Sequence, residues 1–143
     1  MLKIVLDTNV LISGIIVEAG PSGLILEAVQ AGKLKLVIST ALLAEFSEVI
    51  TRPHIIKKYP KIAQHADDLL DYLRVNAILV SGIPTSTVVK EDPDDDFVLA
   101  SAIEGQADFI ISGDPHLLHL DKDSGVPIMS PRQFVDSVLS GRD

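Results

Sequence analysis

The run Lys3-Ile4-Val5-Leu6-Asp7-Thr8-Asn9-Val10-Leu11-Ile12-Ser13 decides how the chain folds. Ile4 to Leu6 is a short apolar run, the pattern of a strand buried on both faces. Asp7 arrives where that strand ends, followed by the capping residues Thr8 and Asn9. Apolar residues then return at helical spacing through Val10, Leu11, Ile15 and Ile16. A strand running directly into a helix puts Asp7 at the carboxyl edge of a sheet, where open α/β sheets bind ligands. Taken alone, Asp7 is equally well read as a helix cap.

Working outward, the same unit recurs. Ser22 is expected to cap a helix over Leu24–Ala31, with Gly32 at its C′ position. Leu34 to Ile38 reads as a second strand, and Ser39 or Thr40 caps a helix from Ala41 to about Thr51. In that helix Leu42, Leu43, Phe46, Val49 and Ile50 form one stripe, Glu48 points away from it, and Glu45 lies on its flank. Glu45 can therefore reach along the sheet edge, although such a glutamate is more often a boundary residue. Further strands are expected at Ile78–Val80, Ala107–Ile111 and Val126–Met129, and helices at Ile62–Arg74 and Arg132–Leu139. Five successive βα units imply a parallel sheet with helices on both faces.

Glu91-Asp92-Pro93-Asp94-Asp95-Asp96 places five acids in six residues ahead of Phe97-Val98-Leu99-Ala100. Asp92 as N-cap and Pro93 at N1 account for one or two of them. The mutual repulsion of the rest requires a cation or open solvent. By helical phase Asp96 shares the face of Leu99, Ala100 and Ile103, Asp95 that of Val98, Leu99 and Ala102, and Asp94 points outward. Asp96, and after it Asp95, would face the sheet edge. The fourth strand runs into Ser112-Gly113-Asp114-Pro115, where Asp114 serves an Asx turn or a site equally well. Right-handed crossovers carry Asp7, Glu45, Asp96 and Asp114 to one edge. Like charges that close require cations. Oxygen ligands, no cysteine, and His116 and His119 read as surface residues together select Mg²⁺ or Mn²⁺.

The composition frames these expectations. At 143 residues the chain is read as one domain over 1–143, and a 47% hydrophobic, 4% aromatic content means an aliphatic core. With no cysteine there is neither a disulfide nor a thiol nucleophile. No long apolar run or leader pattern points to a membrane, so the cytoplasm is the expected location. The formal charge of −8 stands against nonspecific nucleic-acid binding through a global field. One segment, Arg52 to Lys61, concentrates Arg52, Lys57, Lys58 and Lys61, four of the twelve Lys and Arg residues. It reads as a solvated connector or as a set of phosphate contacts.

Taken together, LDTNVLIS, the Glu45 helix, DPDDDFVLASA and IISGD resemble the PIN domain across essentially the whole chain, and RPHIIKKYP resembles a segment of one subgroup. The nearest likeness is to the toxin components of toxin–antitoxin systems, the VapC-like ribonucleases. The resemblance implies a single-domain three-layer α/β/α sandwich around a mainly parallel five-stranded sheet, and Mg²⁺- or Mn²⁺-dependent endonucleolytic cleavage of RNA. It implies that Asp7, Glu45, Asp96 and Asp114 are the metal-site acids, with Asp95 an alternative or additional ligand. Thr8 or Asn9 and Ser112 are their polar companions. Many relatives carry Thr where this chain has Ser112, so the hydroxyl is kept. A small antitoxin and a homodimer are the implied protein partners. Metal-activated water would perform the hydrolysis. Two divalent ions, each +2, would also bring the formal charge from −8 to −4.

Two other classes fit less well. A haloacid-dehalogenase-type phosphatase also places Asp after the first strand and uses Mg²⁺, but needs a second Asp where Asn9 stands. A non-catalytic acidic binding module would not need acids at all four positions. A nicotinamide-binding domain lacks its GxGxxG after the first strand.

Overall fold

The computed structural model describes residues 1–83, 93–119 and 125–140; at 93–96 it describes the backbone alone. Five strands, β1 (Leu2–Leu6), β2 (Leu34–Ser39), β3 (Ile78–Val80), β4 (Phe109–Ile111) and β5 (Ile128–Met129), form one sheet of order β3-β2-β1-β4-β5. Every pairing is parallel, with Val5 beside Val37 on one side and Ile110 on the other. The run predicted as a strand buried on both faces, Ile4 to Leu6, is so, and its neighbours Val37 and Ile110 are also fully buried, whereas Leu79 on the edge strand β3 is exposed.

The helices between them are α1 (Thr8–Ile16), α2 (Pro21–Gln30), α3 (Thr40–Val49), α4 (Pro53–Lys58), α5 (Ile62–Asn76), α6 (Pro93–Glu104), α7 (Pro115–His119) and α8 (Pro131–Phe134). A π-helical turn, Val135–Leu139, continues α8. The order of the strands explains where these lie. From β1 the chain steps to β2 and then β3, so right-handed crossovers put α1–α2 and α3–α5 on one face. It then jumps back past β2 and β1 to reach β4. That reversal puts α6 on the opposite face, packed on β1, β2 and β4.

Local chemistry sets most element boundaries. Asp7 caps α1, accepting a bond from the Val10 amide at 2.9 Å, and Ser39 caps α3 by the same bond to Leu42 at 3.0 Å. Gly32 follows α2 with φ +78°, a conformation that suits a glycine without a Cβ. Ser130 and Gln133 form a reciprocal capping box for α8. Gly14 lets α1 and α2 cross closely, since a Cβ there would come within 2.5 Å of the Leu26 side chain.

Three expectations are corrected. Ser22 does not cap α2; the helix starts earlier, with Gly20 as its cap residue and Pro21 at its first position, and Ser22 is buried within it. Proline at that position has a φ already suited to the helix and removes one of the unpaired amides of the first turn. The segment after Arg52 forms the short helix α4 instead of a plain connector, again started by a proline. The last helix is not α-helical throughout but widens into the π-turn at Val135. The acids Glu91 and Asp92, the loop expected at 84–90 and the side chains of Asp94, Asp95 and Asp96 lie outside the described residues.

Candidate functional site

In an open parallel sheet the ligand crevice lies at the carboxyl ends of two neighbouring strands whose connections leave in opposite directions. Here those strands are β1, which leads toward β2, and β4, which leads toward β5. Asp7 ends β1, and Ser112-Gly113-Asp114 follows β4. The Asp7 amide donates to the Ile111 carbonyl at 3.3 Å, extending the ladder one residue past the strands.

At that junction Ser112 joins two acids. Its hydroxyl, fully buried, donates to Asp7 Oδ2 and accepts from the Asp114 amide at 3.0 Å. The other Asp7 oxygen, Oδ1, takes the Val10 amide. Asp114 Oδ1 accepts from the His116 amide at 2.9 Å, and the Asp114 carbonyl accepts from Leu118 at 3.0 Å, so Asp114 also starts α7. Each acid is therefore a cap and a member of a pair at once. Capping is what aims the two carboxylates at the edge of the sheet.

Burial pushes the Asp7 carboxyl above its ordinary range, and the nearby charge of Asp114 adds to this. The Ser112 hydroxyl and the Val10 and Asn9 amides act in the opposite sense without cancelling the burial. Beside it the Thr8 hydroxyl oxygen is buried with no hydrogen-bond partner among the described residues, whereas Asn9 is exposed. A buried carboxyl resisting ionisation, a second acid beside it and an orphaned hydroxyl oxygen form an all-oxygen donor set. These residues fit a hard divalent cation.

The remaining predicted site residues are placed as follows. Glu45 is exposed on α3, and its charge is felt by the Arg52 guanidinium. Among the described residues no three Asp, Glu or His side chains stand close enough together to hold a metal. On α6, Val98, Leu99 and Ala102 of the face shared with Asp95 are all buried, while Ile103 of the face shared with Asp96 is 60% exposed. Arg52 forms a two-pronged pair with Glu48, 3.1 Å from Nε and 2.8 Å from Nη2, so Glu48 is exposed but partnered. Lys57, Lys58 and Lys61 are exposed around the end of α4. His116 and His119 are exposed, as read from the sequence.

Sequence reasoning placed Ser112 near the acids but missed its role as the hydroxyl bridging Asp7 to the Asp114 backbone. The available signal was its position: Ser112 follows β4 as Asp7 follows β1. Ser39, fully buried at the end of β2, occupies the matching position and was read only as a cap.

No curated protein matches this sequence significantly. The family model described as the PIN domain matches residues 3–116, a span that runs from β1 through Asp114 and into α7. Proteins of this family are generally metal-dependent nucleases, and the chain belongs to the PIN domain family.

Proposed function

We propose that this protein is a Mg²⁺- or Mn²⁺-dependent endoribonuclease whose centre is the Asp7–Ser112–Asp114 junction. The observation that carries the reading is the pairing of two acids at the β1/β4 switch point through one buried hydroxyl. Asp7 and Asp114 would hold the cation, with Glu45 and Asp95 or Asp96 completing the set and Thr8 or Asn9 beside them. When bound, the ion supplies Lewis acidity toward the phosphate and a water of lowered pKa. The chain's own part is to hold acceptor oxygens rigidly at the sheet edge. Ser112 keeps the Asp7 carboxylate oriented, and the amides of Val10 and His116 hold one oxygen of each acid. Lys57, Lys58 and Lys61, which make no ion pair among the described residues, are the cations for the RNA backbone, with Arg52 available on exchange of its surface pair with Glu48, an interaction of small net energy.

The finer reading is a toxin of a type II toxin–antitoxin pair, acting in the cytoplasm as a homodimer and restrained by a small antitoxin. Its support is the likeness of the motifs to that subgroup.

The test is cleavage of a labelled RNA with and without Mg²⁺ or Mn²⁺. Asp7→Asn and Asp114→Asn are each expected to abolish cleavage without unfolding the protein, and Asp67→Asn, an exposed acid on α5, to behave as wild type. Comparing Asp95→Asn with Asp96→Asn identifies which acid of the run takes part. Metal should stabilise the wild type by mass action, by about 2.7 kcal/mol at a hundredfold excess over Kd, and so raise its melting temperature. Full cleavage by folded Asp7→Asn would remove the proposed site. For the toxin reading, induced expression should arrest growth in the wild type alone; growth unaffected by an active nuclease rules that role out.

A further inference from the structure

Beyond the acidic edge, a concavity that also carries positive charge lies beside α4. A cavity of about 500 Å³ is lined by Ile15 and Ile16 at the end of α1, by Tyr59 and Pro60, and by Lys58 and Lys61. Tyr59 is half-buried, and the Lys58 ammonium sits over its ring, 5.5 Å from the centroid. The apolar walls, one aromatic ring and two cations in the lining are the features of a site for a flat aromatic ligand attached to phosphate. Ligand sites of this volume are mainly apolar with a few placed polar groups. Single-stranded nucleic acid is held by an aromatic platform for the base and cations for the backbone. Glu18 also lines the cavity and supplies an acceptor-only carboxylate. It disfavours a phosphate inside and suits the amino group of a base, leaving the phosphates to the lysine side.

We infer that the Tyr59 cavity is a nucleobase subsite, which takes one unpaired base of the RNA while Lys58 and Lys61 hold its flanking phosphates. The inference rests on the nuclease reading and specifies where the substrate is gripped. Ile15 lies eight residues along the chain from Asp7, about 12 Å of helical rise. A strand a few nucleotides long can therefore span both places. The subsite also answers the charge objection. An acidic protein gains affinity from stacking, which no net charge opposes, and needs few phosphate contacts.

The experiment measures binding of a short labelled single-stranded RNA and of an abasic oligonucleotide with the same phosphates, in EDTA so that no cleavage occurs. Tyr59→Ala should weaken RNA binding by roughly 5- to 150-fold, the range for losing one base–aromatic stack. It should leave abasic binding and the salt slope unchanged. Tyr59→Phe should bind as the wild type does. In a Tyr72→Phe background, Tyr59 is the one remaining tyrosine, and the chain has no tryptophan, so its fluorescence should quench on adding RNA but not the abasic strand. Equal loss of both ligands in Tyr59→Ala would reduce the ring to a support for Lys58 and overturn the subsite. RNA binding unchanged in Tyr59→Ala also overturns it and leaves the groove to a protein partner. If the wild type binds neither ligand, the subsite fails, while cleavage of RNA with Mg²⁺ or Mn²⁺ decides the nuclease reading separately.

Discussion

Replacing Ser112 with alanine removes one buried oxygen and two bonds at once. The bond to Asp7 is charge-assisted whenever that acid is ionised, a class worth about 1.5–3 kcal/mol, and the Asp114 amide loses its acceptor. Asp114 is only half-buried, so water can replace the second bond in part. We take about 2 kcal/mol as the net loss. An unfolding entropy of about 2.1 cal/mol/K per residue gives roughly 0.3 kcal/mol/K for the whole chain, so the loss lowers Tm by about 7 °C. The effect also has a required pH dependence. The hydroxyl favours ionised Asp7, so folded Ser112→Ala binds more protons than the folded wild type over the range in which Asp7 titrates. The stability difference must therefore grow with rising pH and shrink as Asp7 is protonated. Ser112→Thr restores the hydroxyl and should recover most of the loss, less the cost of one methyl in a fully buried site. The assay is thermal unfolding followed by circular dichroism, in EDTA, between acid and neutral pH. A Ser112→Ala protein melting within about 1 °C of wild type at neutral pH would show that this hydroxyl does not hold the acids, because even a single lost bond should exceed that.

Asp7→Asn should be inactive yet as stable as the metal-free wild type at neutral pH, or more so. Asn caps a helix as well as Asp, and the buried charge is gone. The sign follows from the raised carboxyl: above its ordinary 3.8, folded Asp7 holds its proton longer than the unfolded chain does, so wild-type stability falls as pH rises through that window. Melting of both proteins in EDTA across that range checks it, and a constant gap would contradict it. At the exit of β3, the Glu104 carboxylate accepts from the Ser81 amide at 2.8 Å, the Ser81 hydroxyl at 2.5 Å and the Gly82 amide at 3.3 Å, which holds its pKa below the ordinary 4.5. This latch is complete above 4.5 and is lost as pH falls through the lowered value, so amide-exchange protection of Ser81 and Gly82 should fall there, and at all pH values in Glu104→Ala. Replacing Lys57, Lys58 and Lys61 with alanine should flatten the salt dependence of RNA binding by about 0.7 in log–log slope per lost contact. Cleavage at saturating RNA should persist. An unchanged slope would mark these lysines as solvated surface.

The strand-to-helix unit at Lys3–Ser13 was legible because burial on both faces leaves an unbroken apolar run, and one capping residue ends it. The same reasoning carried to β2, β3, β4 and most helices, and five βα units imply a parallel sheet. It missed the helix starts at Pro21 and Pro53, because Gly20 and Arg52 stand at the cap positions without a capping side chain to mark them. It could not foresee the π-turn at Val135, which has no residue code of its own. As for the site, the sequence alone determined that acids stand at strand ends, since Asp7 and Asp114 are each followed by helix starts. It did not determine that these two meet. That depends on the order β3-β2-β1-β4-β5, which sets β4 against β1 although more than a hundred residues separate Asp7 from Asp114. Spacing along the chain carries no record of strand neighbours; only packing α6 on the face opposite α2 brings the two strand ends together. Ser112 becomes a bridge, and Asp7 a carboxyl that resists ionisation, because that pairing buries them side by side.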